Sequence, residues 1–121
     1  MTVAYWVLAG LLAALYLFSG FKKATQSREQ LAPMMAWVDD MPMPRVRAIG
    51  VVEVLGAVGL ILPPLLGIAP WLAFAAAVGF VLVQIGAAWL HLSRGEARLI
   101  GLNVVLLVLA AVTAWLATTW L

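Results

Sequence analysis

Charged residues and cysteine are what this sequence most lacks. Only 10% of its 121 residues are charged, whereas a soluble domain carries about 25%, so the chain has too few charges to cover a water-facing surface. The absence of cysteine excludes disulfides, thiol catalysis and cysteine-based metal or iron–sulfur sites. One histidine and one acidic residue within the apolar stretches are too few ligands for a closed metal site, so we expect no metal. The net charge of +2 reflects membrane topology, and no nucleic-acid partner is expected.

The sequence contains long apolar runs without any charged residue. About 20 apolar residues suffice for a helix to cross a bilayer, and the sequence predicts four such spans, at residues 3–21, 48–65, 70–92 and 99–120. Pro63-Pro64, followed by Gly67, separates the second span from the third. The first span lacks a basic segment on its N-terminal side and a small-residue cleavage site, so we expect it to be retained. The expected fold is therefore all-α: an integral membrane antiparallel four-helix bundle formed as one domain by residues 1–121.

Basic residues predict the orientation of this bundle. All seven lysines and arginines fall in the connections 22–47 and 93–98. The positive-inside rule makes these connections cytoplasmic, which places both termini outside the inner (plasma) membrane. In the longer connection, apolar residues recur at helical spacing from Leu31 to Met41 and predict a short interfacial helix starting near Pro33. This helix is interpreted either as a cover over the bundle mouth or as a lid or docking site.

Polar residues within the spans are the candidate functional residues. Glu53 is the one acidic residue inside a span, and such a carboxyl group should face the bundle interior and be paired or protonated. The alternating topology predicts one polar cluster at the inner mouth of the bundle, made of Tyr16, Lys23, Glu53, Gln84, His91 and Asn103.

Two interpretations of this cluster remain open. In one, Glu53 pairs with a lysine, an arginine or His91 and fixes helix register, while Gln84 and Asn103 form interhelical hydrogen bonds and Tyr16 only packs. In the other, Glu53 and His91 are catalytic and exchange protons with a ligand held between the helices. Lys23, Gln84, Asn103 and Tyr16 then contact that ligand.

Four segments carry a resemblance to a known family. They are FSGFKK at 18–23, MPMPRVRAIG at 41–50, GVVEVLGAVGLILP at 50–63 and GAAWLHLSRGE at 86–96. With these segments the chain resembles the DoxX-like family of small bacterial four-helix membrane proteins over most of residues 10–105. The last helix matches only in its hydrophobicity.

The resemblance implies a link to membrane redox chemistry. The family is named after a subunit associated with thiosulfate:quinone oxidoreduction, and the fold has also been connected with membrane chaperones, although most members have no assigned activity. The family's cysteine-dependent redox forms do not transfer to a chain without cysteine. The family pattern implies site positions at Glu53, His91, Lys23 and Asn103.

Three functions follow as hypotheses. The leading one is a membrane protein that holds a small lipophilic ligand, with a quinone as the first candidate, in a redox pathway. The second is a scaffold subunit with a filled interior that assembles with a membrane protein partner or with its own copies. The third is an acid–base enzyme acting on a lipophilic substrate. The sequence identifies no cofactor.

Overall fold

Four long apolar helices dominate the computed structural model, which describes residues 2–121. They are α1 (Thr2–Thr25), α3 (Met43–Leu66), α4 (Leu72–Ser93) and α5 (Ile100–Ala117), and a one-turn helix, α2 (Arg28–Leu31), lies between α1 and α3. Short 3-10 helices occur at Ala36–Asp40, Ala97–Leu99 and Thr118–Trp120, and the described residues contain no strand. With its flanking 3-10 turns, α5 matches the other three in being long and apolar enough to cross a membrane. The predicted all-α fold with four spans is confirmed.

Two helices are longer than predicted at the end that carries the charges. Helix α1 runs to Thr25, four residues beyond the predicted end, and places Lys22 and Lys23 in its last turn, where cations interact favourably with the helix dipole. Helix α3 begins at Met43 instead of residue 48, with Pro44 in its first turn. A proline is well suited to that position because the first-turn N–H groups have no intrahelical acceptor.

Helix α3 contains both Pro63 and Pro64 and ends one residue beyond the predicted bound of residue 65. It reaches Leu66 and stops at Gly67, whose φ of 71° is the left-handed conformation typical of a helix end. Pro64 has no N–H to donate to the carbonyl of Leu60 four residues earlier. The hydroxyl of Tyr5 donates to that carbonyl over 2.6 Å, so α1 supplies the bond that the proline removes. Such a replacement matters in a bilayer, where no water can satisfy a free carbonyl.

The segment between α1 and α3, residues 26–42, is called the cover segment below. The prediction of one helix starting near Pro33 is wrong: the segment forms α2, a turn containing Pro33, and the 3-10 helix Ala36–Asp40. Ser27 and Gln30 form a reciprocal capping box that starts the helix upstream, and Pro33 has no N–H with which to continue it.

A small core holds the two halves of the cover segment together. Leu31 and Val38 pack with Val46 of α3 and are fully buried. The guanidinium group of Arg28 donates to the carbonyl of Val38 and, over 3.1 Å, to that of Met41. The cover segment is thus an ordered structure docked on the start of α3.

The long helices form two antiparallel pairs, α1 with α3 and α4 with α5, which pack against each other. All seven lysines and arginines lie at the end of α1, in the cover segment, at the start of α3 or where α4 connects to α5. We call this end of the bundle the basic end. At the opposite end the core is filled by small and aromatic side chains, with Tyr5 edge-on to Trp6 and Trp120.

Candidate functional site

Side-chain burial in α4 and α5 falls off towards the basic end. Helices α1 and α3 bury side chains along most of their length. In contrast, α4 buries side chains only from Ala73 to Gln84, and α5 only from Ala110 to Ala117. The half of the bundle nearer the basic end is therefore not filled by side chains.

A cavity of about 760 Å³ occupies this space. Its volume lies in the range of ligand-binding pockets, which are mostly apolar with a few polar groups. Apolar side chains from all four long helices and from the cover segment line it. All six predicted site residues line it as well: Tyr16, Lys23, Glu53, Gln84, His91 and Asn103. The six residues therefore share one cavity, and their roles remain predictions.

Glu53 is held by an ion pair across the α1–α3 interface. Its side chain is 2% exposed, and one carboxylate oxygen accepts a short hydrogen bond from the ammonium group of Lys23, which is 11% exposed. The ammonium group also lies 5.5 Å from the ring centroid of Trp37 in the cover segment, within the range of a cation–π interaction.

Two glycines allow α1 and α3 to approach closely beside this pair. A Cβ atom on Gly20 would lie 2.7 Å from the carbonyl oxygen of Gly50 and 3.0 Å from the Cβ of Glu53. A Cβ atom on Gly50 would lie 2.6 Å from the carbonyl oxygen of Gly20 and 2.8 Å from the Cβ of Lys23. Small residues permit such backbone contact between membrane helices, and here the contact brings the two charged side chains together.

A hydrogen-bonded chain forms the deep end of the cavity. The amide of Asn103 donates to Gln84 over 2.8 Å, and the amide of Gln84 donates to the hydroxyl of Tyr16 over 2.5 Å. This chain links α5 to α4 and α4 to α1. The sequence-based interpretation of Gln84 and Asn103 as interhelical hydrogen-bonding residues agrees with this geometry.

Phe80 is a residue of this region that the sequence reasoning missed. Its ring stacks on Tyr16 with centroids 3.8 Å apart and an interplanar angle of 11°, which fixes the position of the tyrosine hydroxyl. A Cβ atom on Gly56 would lie 2.6 Å from the Phe80 ring, so the ring occupies the space that this glycine leaves. The sequence signal for this contact is a glycine in one span, Gly56, and a large aromatic residue in the next, Phe80.

His91 belongs to a separate polar group at the rim of the cavity. Its Nδ1 lies 3.1 Å from a carboxylate oxygen of Glu96, which also accepts a 2.8 Å hydrogen bond from Arg94. The hydrogen bonds from Arg94 and then His91 hold the pKa of Glu96 below its usual value. Arg94 also forms an ion pair with Asp40 of the cover segment, which ties that segment to the α4–α5 connection. His91 and Glu53 thus line one cavity with different partners.

Several side chains that line the cavity are also exposed on the outer surface of the bundle. Phe18 of α1 is 59% exposed, Val52 of α3 54%, Leu82 and Trp89 of α4 63% and 69%, and Leu102 of α5 68%. Side chains that are exposed on membrane-spanning helices face lipid, so parts of the cavity wall on all four long helices also contact the bilayer. Within residues 2–121, no group of three His, Asp or Glu side chains comes together to hold a metal ion.

These features define a small multi-pass membrane protein with a largely apolar cavity that carries several polar side chains near one end of its bundle. The family model for the DoxX-like family matches residues 7–113, and the chain belongs to that family. Searches among curated proteins and among solved structures each returned no significant match.

Proposed function

We propose that this protein binds a small lipophilic ligand, with quinones as the first candidate class, between its two helix pairs and serves a membrane redox pathway. The observation that carries the proposal is the cavity of about 760 Å³, which has an apolar lining and several polar side chains near one end. In this proposal Lys23, Tyr16, Gln84 and Asn103 contact the polar head of the ligand.

The exposure of lining residues supports a lipophilic ligand. Side chains such as Val52, Leu82 and Trp89 line the cavity and are also exposed on the membrane-spanning helices. In this proposal a molecule dissolved in lipid enters the cavity between the helices without crossing water. The scaffold hypothesis predicts a filled interior, and the cavity therefore favours ligand binding over it.

A second candidate function is acid–base catalysis on a lipophilic substrate. The observation that favours it is the carboxylate of Glu96 at the Nδ1 atom of His91. A carboxylate in this position holds a proton on Nδ1 and leaves Nε2 to exchange a proton with a bound molecule. Glu53 is the other proton-exchanging group in this proposal, on the opposite helix pair.

We also infer the orientation of the bundle in the inner membrane. The basic end carries every lysine and arginine of the sequence, and positively charged connections favour the cytoplasmic side. The cover segment and the cavity then lie near the cytoplasmic surface, with both termini outside.

The experiment that tests ligand binding fills the cavity at Gly86. A Cβ atom added there would meet no atom within 4 Å, and Gly86 lines the cavity, so Gly86→Leu adds bulk without a clash at Cβ. Gly79→Leu is the matched control, because Gly79 lies two turns away on the same helix, has the same free space and does not line the cavity.

Binding of decylubiquinone to the purified protein in lipid nanodiscs is measured against empty nanodiscs. We expect saturable binding by the wild-type protein and by Gly79→Leu, and at least about tenfold weaker binding by Gly86→Leu, since an apolar pocket loses about tenfold for each 1.4 kcal/mol of lost contact. Equal binding by the two variants refutes binding in this cavity, and no saturable binding by the wild type refutes quinones as the ligand class.

A further inference from the structure

The carboxylate of Glu53 is satisfied on one side only. One oxygen accepts from Lys23, whereas the second accepts no hydrogen bond from any of residues 2–121. The side chain is 2% exposed and lines the cavity. The second oxygen is not fully buried, and its remaining accessible surface is assigned to the cavity. A carboxylate oxygen at the wall of a mostly apolar cavity would gain a charge-assisted hydrogen bond from a ligand that carries a donor.

Hydrogen-bond donors lie in the same cavity. The hydroxyl of Tyr16 accepts from Gln84, and within the described residues its own proton has no acceptor, so it is free to donate to a ligand. Lys23 carries three N–H groups, of which one points to Glu53. The cavity therefore offers one unused acceptor together with unused donors.

We propose that the ligand of this cavity has a hydroxyl head, as an alcohol or a phenol does, including the hydroquinone form of a quinone. A hydroxyl donates to the free oxygen of Glu53 and accepts from Tyr16 or Lys23. A carbonyl or ether head only accepts, and it leaves the carboxylate oxygen of Glu53 without a partner. This inference rests on the proposed ligand-binding function and narrows it to one class of head group.

The expected preference for a hydroxyl head over an ether head equals the contribution of one hydrogen bond to a charged group. Such a bond is worth roughly 10- to 100-fold in affinity. Two probes isolate this term: 4-octylphenol, which has a hydroxyl, and 4-octylanisole, its methyl ether, which has the same ring and tail. Their binding to the protein in nanodiscs is compared with each concentration expressed per lipid, so that different partitioning into the bilayer cancels.

Two variants locate the source of the preference. The double variant Lys23→Leu/Glu53→Leu replaces the ion pair by apolar side chains, an exchange that folded proteins often tolerate, and it should bring the two affinities within about threefold. Tyr16→Phe keeps the ring stacked on Phe80 and removes only the hydroxyl. It should weaken both probes similarly, because both accept through oxygen, and leave their ratio unchanged.

The ratio of the phenol and ether affinities of the wild-type protein tests the inference even if the double variant does not fold. A phenol preference of tenfold or more supports the inference. Equal affinities, or tighter binding of the ether, overturn the hydroxyl head while leaving ligand binding in place. If neither probe binds above empty nanodiscs and decylubiquinone also fails to bind, the proposed function itself is refuted.

Discussion

The close contact between α1 and α3 at Gly20 and Gly50 gives a quantitative prediction. A Cβ atom on Gly50 would lie 2.6 Å from the carbonyl oxygen of Gly20 and 2.7 Å from the backbone nitrogen of Ala24. Both neighbours are backbone atoms, so Gly50→Ala forces the two helices apart by several tenths of an ångström. Overpacking of this kind costs about 1–3 kcal/mol. The same displacement moves Lys23 away from Glu53, because these side chains flank the contact.

The control for this prediction is Gly10→Ala, in the half of α1 that lies away from the contact at Gly20. A Cβ atom there would meet nothing within 4 Å. Both variants gain the higher helix propensity of alanine, about 1 kcal/mol, so the difference between them isolates the packing cost. We expect Gly50→Ala to be less stable than Gly10→Ala by about 1–3 kcal/mol in reversible unfolding from mixed micelles. Equal stability of the two variants would refute the close contact.

Three further predictions concern two charged groups and the orientation of the bundle. Lys23→Met should destabilise the protein by about 3–5 kcal/mol in the same assay, because it leaves a buried carboxylate unpaired, and adding Glu53→Met should recover part of the loss; a double variant as unstable as the single one contradicts this. Because the pKa of Glu96 is lowered in the folded protein, its carboxylate contributes to folding stability above the unfolded-state pKa of 4.5. That stabilisation is lost as pH falls through the lower folded-state pKa. The protection of cover-segment amides against hydrogen exchange, measured relative to the intrinsic rate at each pH, should therefore fall below about pH 4.5 in the wild type and be less pH-dependent in Glu96→Gln, and equal profiles would contradict this. Since the chain has no cysteine, Thr25→Cys and Thr119→Cys can each be labelled alone; an impermeant maleimide added to intact cells should label only Thr119→Cys, and the reverse pattern would invert the proposed orientation.

The number and approximate positions of the spans were predictable from the sequence because charge is excluded from lipid. An uncharged run of about 20 residues has few alternatives to a membrane helix. The ends of α1 and α3 at the basic end were predicted less well, since Lys22, Lys23 and Pro44 are compatible with helix and the hydrophobic pattern does not register them. The continuation of α3 past Pro64 depends on Tyr5, a contact between distant parts of the chain that no local pattern contains.

The candidate site, like the fold, was predictable from the sequence only in part. Glu53, Gln84 and Asn103 could be selected because polar residues within spans are costly unless they are paired. Their common depth followed from the alternating topology. The partners could not be derived: the pairing of Glu53 with Lys23 depends on the glycine contact between α1 and α3, which fixes their relative rotation.

The rim of the cavity was the least predictable part. Asp40, Arg94 and Glu96 lie in connections, where charged residues are expected at a membrane surface whatever their contacts. Their ion pairs with one another and with His91 arise from the path of the cover segment. That path depends on the capping box at Ser27, which the apolar periodicity of the segment does not reveal.

Binding of a lipid-soluble ligand between the two helix pairs is tested most directly by photo-crosslinking. A photoactivatable quinone incorporated into nanodiscs with the protein is irradiated, and the modified residues are mapped by mass spectrometry. We expect adducts concentrated on the cavity-lining parts of α3 and α4, residues 48–53 and 82–91, and suppressed by excess decylubiquinone. Adducts spread evenly over the lipid-facing residues of all four long helices, without competition, would contradict a ligand-binding cavity.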